Sequence, residues 1–218
     1  MSDEIPTTPK SILDSQESIN EEHRQKMVRL NEIKDRQLAS KTQEKGLIIV
    51  HTGAGKGKST AAFGMAIRAL GQGMKVGIVQ FIKGAIPTGE ATFIQQIAAA
   101  GMKIEMHTLG EGFTWKTQDR ARDIATAERA WTKAVELMRD PTIDLVVLDE
   151  LNIATKYEYI LPSVVVEELL NKREMLHVVL TGRNASPEVI EIADLVSEMK
   201  VVKHPYSRGI QPQRGIEF

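Results

Sequence analysis

Three glycines, two lysines and three hydroxyl residues crowd into nine positions, Thr52-Gly53-Ala54-Gly55-Lys56-Gly57-Lys58-Ser59-Thr60. An apolar run, Leu47-Ile48-Ile49-Val50, leads into them, and a helical pattern opens at Ser59. Glycines let successive backbone N–H groups turn inward around phosphate oxygens, and the N-terminus of the following helix adds partial positive charge. A lysine at the position of Lys58 reaches the β- and γ-phosphates, and a hydroxyl at Ser59 can ligate Mg²⁺. The stretch from Gly53 to Thr60 is therefore read as a triphosphate-binding loop, with Gly53, Ala54, Gly55, Lys56, Gly57, Lys58, Ser59 and Thr60 as nucleotide-binding residues and Lys58 in an exposed position. It departs from the usual G-x-x-x-x-G-K-[ST] spacing. Thr52 stands where the first glycine belongs, Gly53 is displaced by one, and Lys56 is an additional cation, which points to altered phosphate placement.

A second apolar run, Leu145-Val146-Val147-Leu148, ends in Asp149-Glu150. At the carboxyl edge of a parallel sheet such acids face the phosphate loop. One of them can then hold Mg²⁺ beside Ser59 or polarise water. Ser59 and one acid of the Asp149-Glu150 pair are the metal candidates. Thr181-Gly182-Arg183 ends another apolar run on the same edge, so Arg183 either meets phosphate or sits on an ordinary surface turn. The chain is poor in aromatics, at 5%, yet Phe113 and Trp115 stand two apart in the glycine-flanked segment Leu109-Gly110-Glu111-Gly112-Phe113-Thr114-Trp115. Rings of that size rarely stay wet without purpose. They either fold into the core or form an apolar wall for a large flat ligand. His51, just before the loop, packs or hydrogen-bonds locally rather than ligating metal, and Met102 and Met106 read as core filler.

The elements that must position these residues follow from hydrophobic pattern. Leu47 to His51, Lys75 to Phe81, Ile104 to Met106, Leu145 to Leu148 and Val178 to Leu180 read as buried strands. Ser59 to Leu70, Ala91 to Ala100, Gln118 to Arg139, Val164 to Asn171 and Pro187 to Ala193 read as helices. Continuous apolar strands alternating with helices imply an α/β fold: a mostly parallel central sheet with helices on both faces. Ahead of this domain, assigned to residues 46–218, residues 1–17 are polar and proline-containing and are expected to be disordered. Residues 18–45 are expected to be a helical arm, with Ser18 and Glu21 as a capping box. Met27, Leu30, Ile33 and Leu38 make a narrow apolar stripe on that arm. The helix either hugs its own domain or docks elsewhere.

Composition narrows the class. The 218 residues carry a formal charge of −1, which leaves no electrostatic footprint for nucleic acid or anionic lipid. Cysteine is absent, which excludes disulfides, thiolate nucleophiles and thiolate-bound metals. The N-terminus has no apolar targeting core and no run is long enough to span a bilayer, so a cytoplasmic location is expected.

Taken in order, Thr52-Gly53-x-Gly55-Lys56-Gly57-Lys58-Ser59-Thr60-Ala61-Ala62-Phe63-Gly64, Val79-Gln80-Phe81-Ile82-Lys83-Gly84, Gly112-Phe113-Thr114-Trp115, Leu148-Asp149-Glu150-Leu151 and Thr181-Gly182-Arg183 resemble the ATP:corrinoid adenosyltransferases of cobalamin biosynthesis and salvage, the branch with a phosphate-loop fold. The resemblance runs from about Glu22 to the ending Gly215-Ile216-Glu217-Phe218. Ser59-Thr60 replaces the Thr-Thr of some relatives and keeps the hydroxyl, and Pro212 stands where a small residue is expected. The resemblance implies attack of a reduced Co(I) corrinoid on the 5′-carbon of ATP, with triphosphate as leaving group. Lys58 and Mg²⁺ on Ser59 and Glu150 would stabilise that group, and Phe113 and Trp115 would displace the lower axial ligand of cobalt. It also implies a homodimer whose N-terminal helix covers a neighbouring active site, and an electron donor such as a flavoprotein reductase. From the residues alone, an ATPase or kinase with Glu150 as base stays open, as does a nucleotide-controlled switch. Neither has a second signal such as an arginine finger or basic patch.

Overall fold

The computed structural model describes residues 10–82, 88–110 and 119–217, with side chains from residue 18 onward. The chain divides into two compact units, Met1–Glu44 and Lys45–Phe218. In the first, a single helix, α1 (Lys10–Ala39), starts earlier than the expected cap at Ser18. No proline or glycine interrupts residues 10–40, so no helix breaker stops the helix from extending back towards Pro9. The stripe residues Met27, Leu30, Ile33 and Leu38 are exposed on it.

The second unit is built on β1 (Ile48–Thr52), α2 (Lys58–Gly71), β2 (Val76–Gln80), α3 (Gly89–Ala99), β3 (Ile104–Thr108), α4 (Arg120–Arg139), β4 (Leu145–Asp149), α5 (Leu151–Lys156), α6 (Pro162–Leu170), β5 (His177–Thr181), α7 (Pro187–Ile192) and β6 (Leu195–Glu198). The six strands form one sheet in the order β3-β2-β4-β5-β1-β6, every neighbouring pair parallel. This is the α/β phosphate-loop architecture expected from the alternating pattern.

Alternation along each strand decides which face a side chain serves. Ile49, Val76, Ile78, Leu145, Val147 and Val179 face Ala62, Phe63, Ala66 and Leu70 of α2 and Ile94 of α3. Ile48, Val50, Val79, Val146, Leu148, Val178 and Leu180 face the opposite layer, which holds Ala130, Ala134 and Leu137 of α4, Leu151 of α5 and Val165 and Leu169 of α6. Each fully buried Leu, Ile or Val contributes roughly 1.5–3 kcal/mol. Covering both faces in this way holds the carboxyl edge rigid beneath the site.

β6, α5 and a single 3-10 turn at Pro205–Arg208 lie outside the sequence expectation. β6 is short and mostly exposed, and its place comes from pairing with β1 rather than from an apolar run of its own. α5 begins directly after Asp149-Glu150 and is too short to show a helical period. It exists because Glu150 takes a left-handed conformation, φ 65°, that turns the chain sharply off the end of β4.

Candidate active site

Register sets out the site. Leu148 of β4 lies opposite Leu180 of β5, which lies opposite Val50 of β1. One residue further along each strand stand Asp149, Thr181 and His51, and beyond them begin Glu150, Gly182 and the phosphate loop. β5 therefore separates the acids from the loop, and strands spaced about 4.8 Å apart put β4 and β1 roughly 10 Å apart.

The phosphate loop is laced to the segment after β6. Gly55 N–H donates to Met199 O at 2.6 Å, and Met199 N–H donates to Thr52 O at 2.8 Å. That closeness explains two of the glycines. A Cβ on Gly53 would lie 2.5 Å from Met199 O, and one on Gly55 would lie 2.7 Å from it. Gly57 has open space around it but sits at φ 107°, where only glycine is unstrained. The Gly55 amide thus serves the fold, and the inward cradle expected of consecutive N–H groups is correspondingly reduced at that position.

Lys58 is the first residue of α2 and is buried, not exposed as its sequence context implied. Its ammonium donates to Gly53 O at 2.9 Å and to Gly55 O. Burial lowers its pKa below the ordinary lysine value; Glu150 nearby opposes the shift, and Arg183 and Lys56 add to it. Those mutual influences place Lys58, Glu150, Arg183 and Lys56 around one electrostatic centre.

The two acids divide their roles by geometry. Asp149 is fully buried, and its carboxylate accepts from Gln80 Nε2 at 2.9 Å and from Thr181 Oγ1 at 2.8 Å. Gln80 Oε1 in turn accepts from Thr108 Oγ1 at 3.1 Å. This chain ties together the carboxyl ends of β3, β2, β4 and β5. The Glu150 N–H donates to Thr181 Oγ1 at 3.0 Å, while the Glu150 residue lines the open cleft. Asn152 on α5 donates to Gly182 O at 3.1 Å, and a Cβ on Gly182 would meet Asn152 Cβ at 2.9 Å. This seats the turn that carries Arg183.

A cleft of about 850 Å³ gathers Lys56, Lys58, Ser59, Thr60, Glu150 and Arg183. Its walls also include Phe93 of α3 and Tyr157 at the end of α5, both substantially exposed, and residues of the C-terminal tail. A volume of that order suits a nucleotide triphosphate with room beside it. Ser59, in the first turn of α2, and Glu150 share this cleft, so one hydroxyl and one carboxylate could join phosphate oxygens around Mg²⁺, which favours few protein ligands. No group of three or more His, Asp or Glu side chains able to hold a metal occurs among the described residues.

The remaining candidates fall as follows. Gly55 and Gly57 line the cleft, whereas Gly53 and Ala54 are not among its lining residues. Phe113 and Trp115 lie outside the described residues. His51 is buried and packs, and neither ring nitrogen has a hydrogen-bond partner among the described residues, so the expected alternative of local hydrogen bonding is not seen. Desolvation lowers its pKa, keeping the imidazole neutral. Sequence reasoning assigned no role to Phe93, Tyr157 or Glu217. For Glu217 the only signal was an acid within the closing motif Gly215-Ile216-Glu217-Phe218.

Comparison with known proteins gives one consistent result. The family model described as ATP:corrinoid adenosyltransferase BtuR/CobO/CobP matches residues 44–218. The chain is 54% identical over 197 residues to a corrinoid adenosyltransferase of a Sinorhizobium species, covering 90% of this chain and 91% of the relative. It is 51% identical over 199 residues to that of Pseudomonas aeruginosa, covering 91% and 97%. It is 40% identical over 199 residues to the corrinoid adenosyltransferase of Escherichia coli K12, covering 91% and 99%.

Proposed function

The chain belongs to the ATP:corrinoid adenosyltransferase family, and we propose that its cleft at the carboxyl edge of the sheet is where the transfer is carried out. The enzyme moves the 5′-deoxyadenosyl group of ATP to the cobalt of a reduced corrinoid in adenosylcobalamin formation. The convergence of Lys58, Glu150 and Arg183 on one cleft carries the assignment of the site.

In the step itself, Co(I) supplies the electron pair that forms the cobalt–carbon bond. The bond from C5′ to the phosphate oxygen breaks, and its electrons leave with triphosphate. Charge therefore grows on the leaving group, where Lys58, Lys56, Arg183 and the N-terminus of α2 are gathered. Groups that bind this developing charge more tightly than they bind ATP lower the barrier. Mg²⁺ bound by Ser59, Glu150 and phosphate oxygens would supply Lewis-acid stabilisation of the same departing charge. No side-chain nucleophile is needed, which suits a chain without cysteine.

Several finer features belong to the same proposal. Phe113 and Trp115 displace the lower axial ligand of cobalt, making Co(II) easier to reduce. The enzyme is a cytoplasmic homodimer, supplied with electrons by a donor such as a flavoprotein reductase, and it has no nucleic-acid or membrane partner. The near-neutral charge suits a protein without a nucleic-acid partner, and no described helix is long and apolar enough to cross a membrane. The exposed apolar stripe on α1 supports an arm that covers an active site. The aromatic roles are tested with Phe113→Ala and Trp115→Ala. Both variants are expected to bind ATP, to fail with Co(II) corrinoid and reductant, and to recover much of their turnover with chemically preformed Co(I). Equal failure with Co(I) would remove the reduction role.

A further inference from the structure

The C-terminal tail enters the cleft lined by the phosphate loop. Its last described residues form a turn in which Glu217 N–H donates to Gln213 O at 2.8 Å and Gly215 takes φ 77°. This turn brings Glu217 Oε2 to 2.5 Å from Lys56 Nζ. The Glu217 side chain is only 14% exposed, whereas that of Lys56 is 53% exposed. Ile216, the turn's apolar residue, is 84% exposed. Of the two, Glu217 carries the turn's hold on the cleft.

A carboxylate set among phosphate-binding groups opposes the binding of phosphate, because like charges placed close together raise each other's cost. It also satisfies Lys56 as phosphate would, through a charge-assisted bond from the ammonium to an anionic oxygen. Lys58 differs, resting on the neutral carbonyls of Gly53 and Gly55. The additional lysine of this loop, the one outside the usual spacing, is thus the one held by the tail.

We propose that Glu217 is a tethered stand-in for a phosphate of the nucleotide, exchanged for it at Lys56. The inference rests on the phosphate-loop reading above and extends it to the tail. Triphosphate, whether part of ATP or released as product, takes Lys56 and frees the turn, and the carboxylate returns when triphosphate leaves. Because Glu217 is tethered, it competes at high effective concentration. It weakens the hold of the site on an anion whose charge would otherwise keep it bound after the transfer.

The probe is inorganic tripolyphosphate with Mg²⁺, titrated by calorimetry into the full-length wild type and Glu217→Gln. A second readout follows trypsin cleavage after Arg214, an exposed tail residue, by intact mass. Removing the competing charge is expected to tighten tripolyphosphate binding roughly fivefold, the gain when a site closed about four-fifths of the time becomes fully available. In the wild type, tripolyphosphate is expected to speed cleavage at Arg214, a measurement that stands even if the variant misfolds. Equal or weaker tripolyphosphate binding by Glu217→Gln would overturn the proposal. So would wild-type cleavage that slows or does not change. Loss of ATP affinity with tripolyphosphate affinity unchanged would assign Glu217 to the nucleoside instead. If tripolyphosphate binds neither protein, the phosphate-loop reading itself fails.

Discussion

The Thr181 hydroxyl donates to Asp149 Oδ1 at 2.8 Å, and its own oxygen, Thr181 Oγ1, accepts the N–H of Glu150 at 3.0 Å. One side chain on β5 thereby fixes both acids at the end of β4. It holds Asp149 in the core and supports the left-handed turn at Glu150 that sets this residue in the cleft.

Replacing Thr181 with Val keeps the shape and deletes the hydroxyl, leaving polar groups of Asp149 and Glu150 short of a partner. A buried group so deprived costs about 1–3 kcal/mol. Thr181→Val is expected to melt at a lower temperature and to lose turnover beyond what the melting loss explains, because Glu150 loses its support. Thr181→Ser should restore both. A Val variant that melts and turns over like wild type would show that the hydroxyl positions nothing.

The lacing of the loop to Met199 separates two glycines that sequence alone treats alike. Gly55→Ala drives a Cβ into the Met199 backbone, whereas Gly57→Ala meets no atom within 4 Å and bears only the cost of its positive φ, about 1–2 kcal/mol. Denaturant unfolding is expected to show Gly55→Ala as the more destabilised variant. The reverse order would contradict the close approach of residues 199 and 55.

Stability should also depend on pH through His177, whose Nδ1 accepts the Leu47 N–H at 3.1 Å where β5 meets the start of β1. Burial lowers the pKa of His177, Lys172 lowers it further, and Asp144 partly opposes the shift. In the unfolded chain the group takes up a proton near 6.5, whereas the folded protein resists protonation to a lower pH. The unfolded state therefore binds more protons in that window, and stability falls as pH drops below about 6.5. His177→Asn, which keeps an acceptor without titrating, should show a shallower decline between pH 7 and 5. Identical pH profiles for variant and wild type would exclude the group.

The phosphate loop and its strand were legible because glycine spacing, an apolar run and a helix start are all local signals. So was the presence of an acid pair after β4. Which acid faces the cleft was not, because the answer depends on Gln80 and Thr181, residues from other strands that capture Asp149. The same limit hid β6, a strand whose residues are mostly exposed and whose structure comes from its neighbour. It hid the burial of Lys58, and the arrival of Glu217 at a lysine 161 positions away in sequence. Long-range contacts between polar side chains leave no periodic trace in a chain.

Adenosyl transfer makes triphosphate a leaving group, whereas an ATPase would hydrolyse it. The most direct measurement is phosphorus NMR of the reaction of the full chain with ATP, Mg²⁺ and a chemically reduced Co(I) corrinoid, with adenosylcorrinoid followed optically in the same sample. Intact triphosphate is expected to appear in equal amount to adenosylcorrinoid, and both should vanish in Lys58→Ala. ADP and inorganic phosphate formed whether or not corrinoid is present would contradict the account and leave an ATPase in its place.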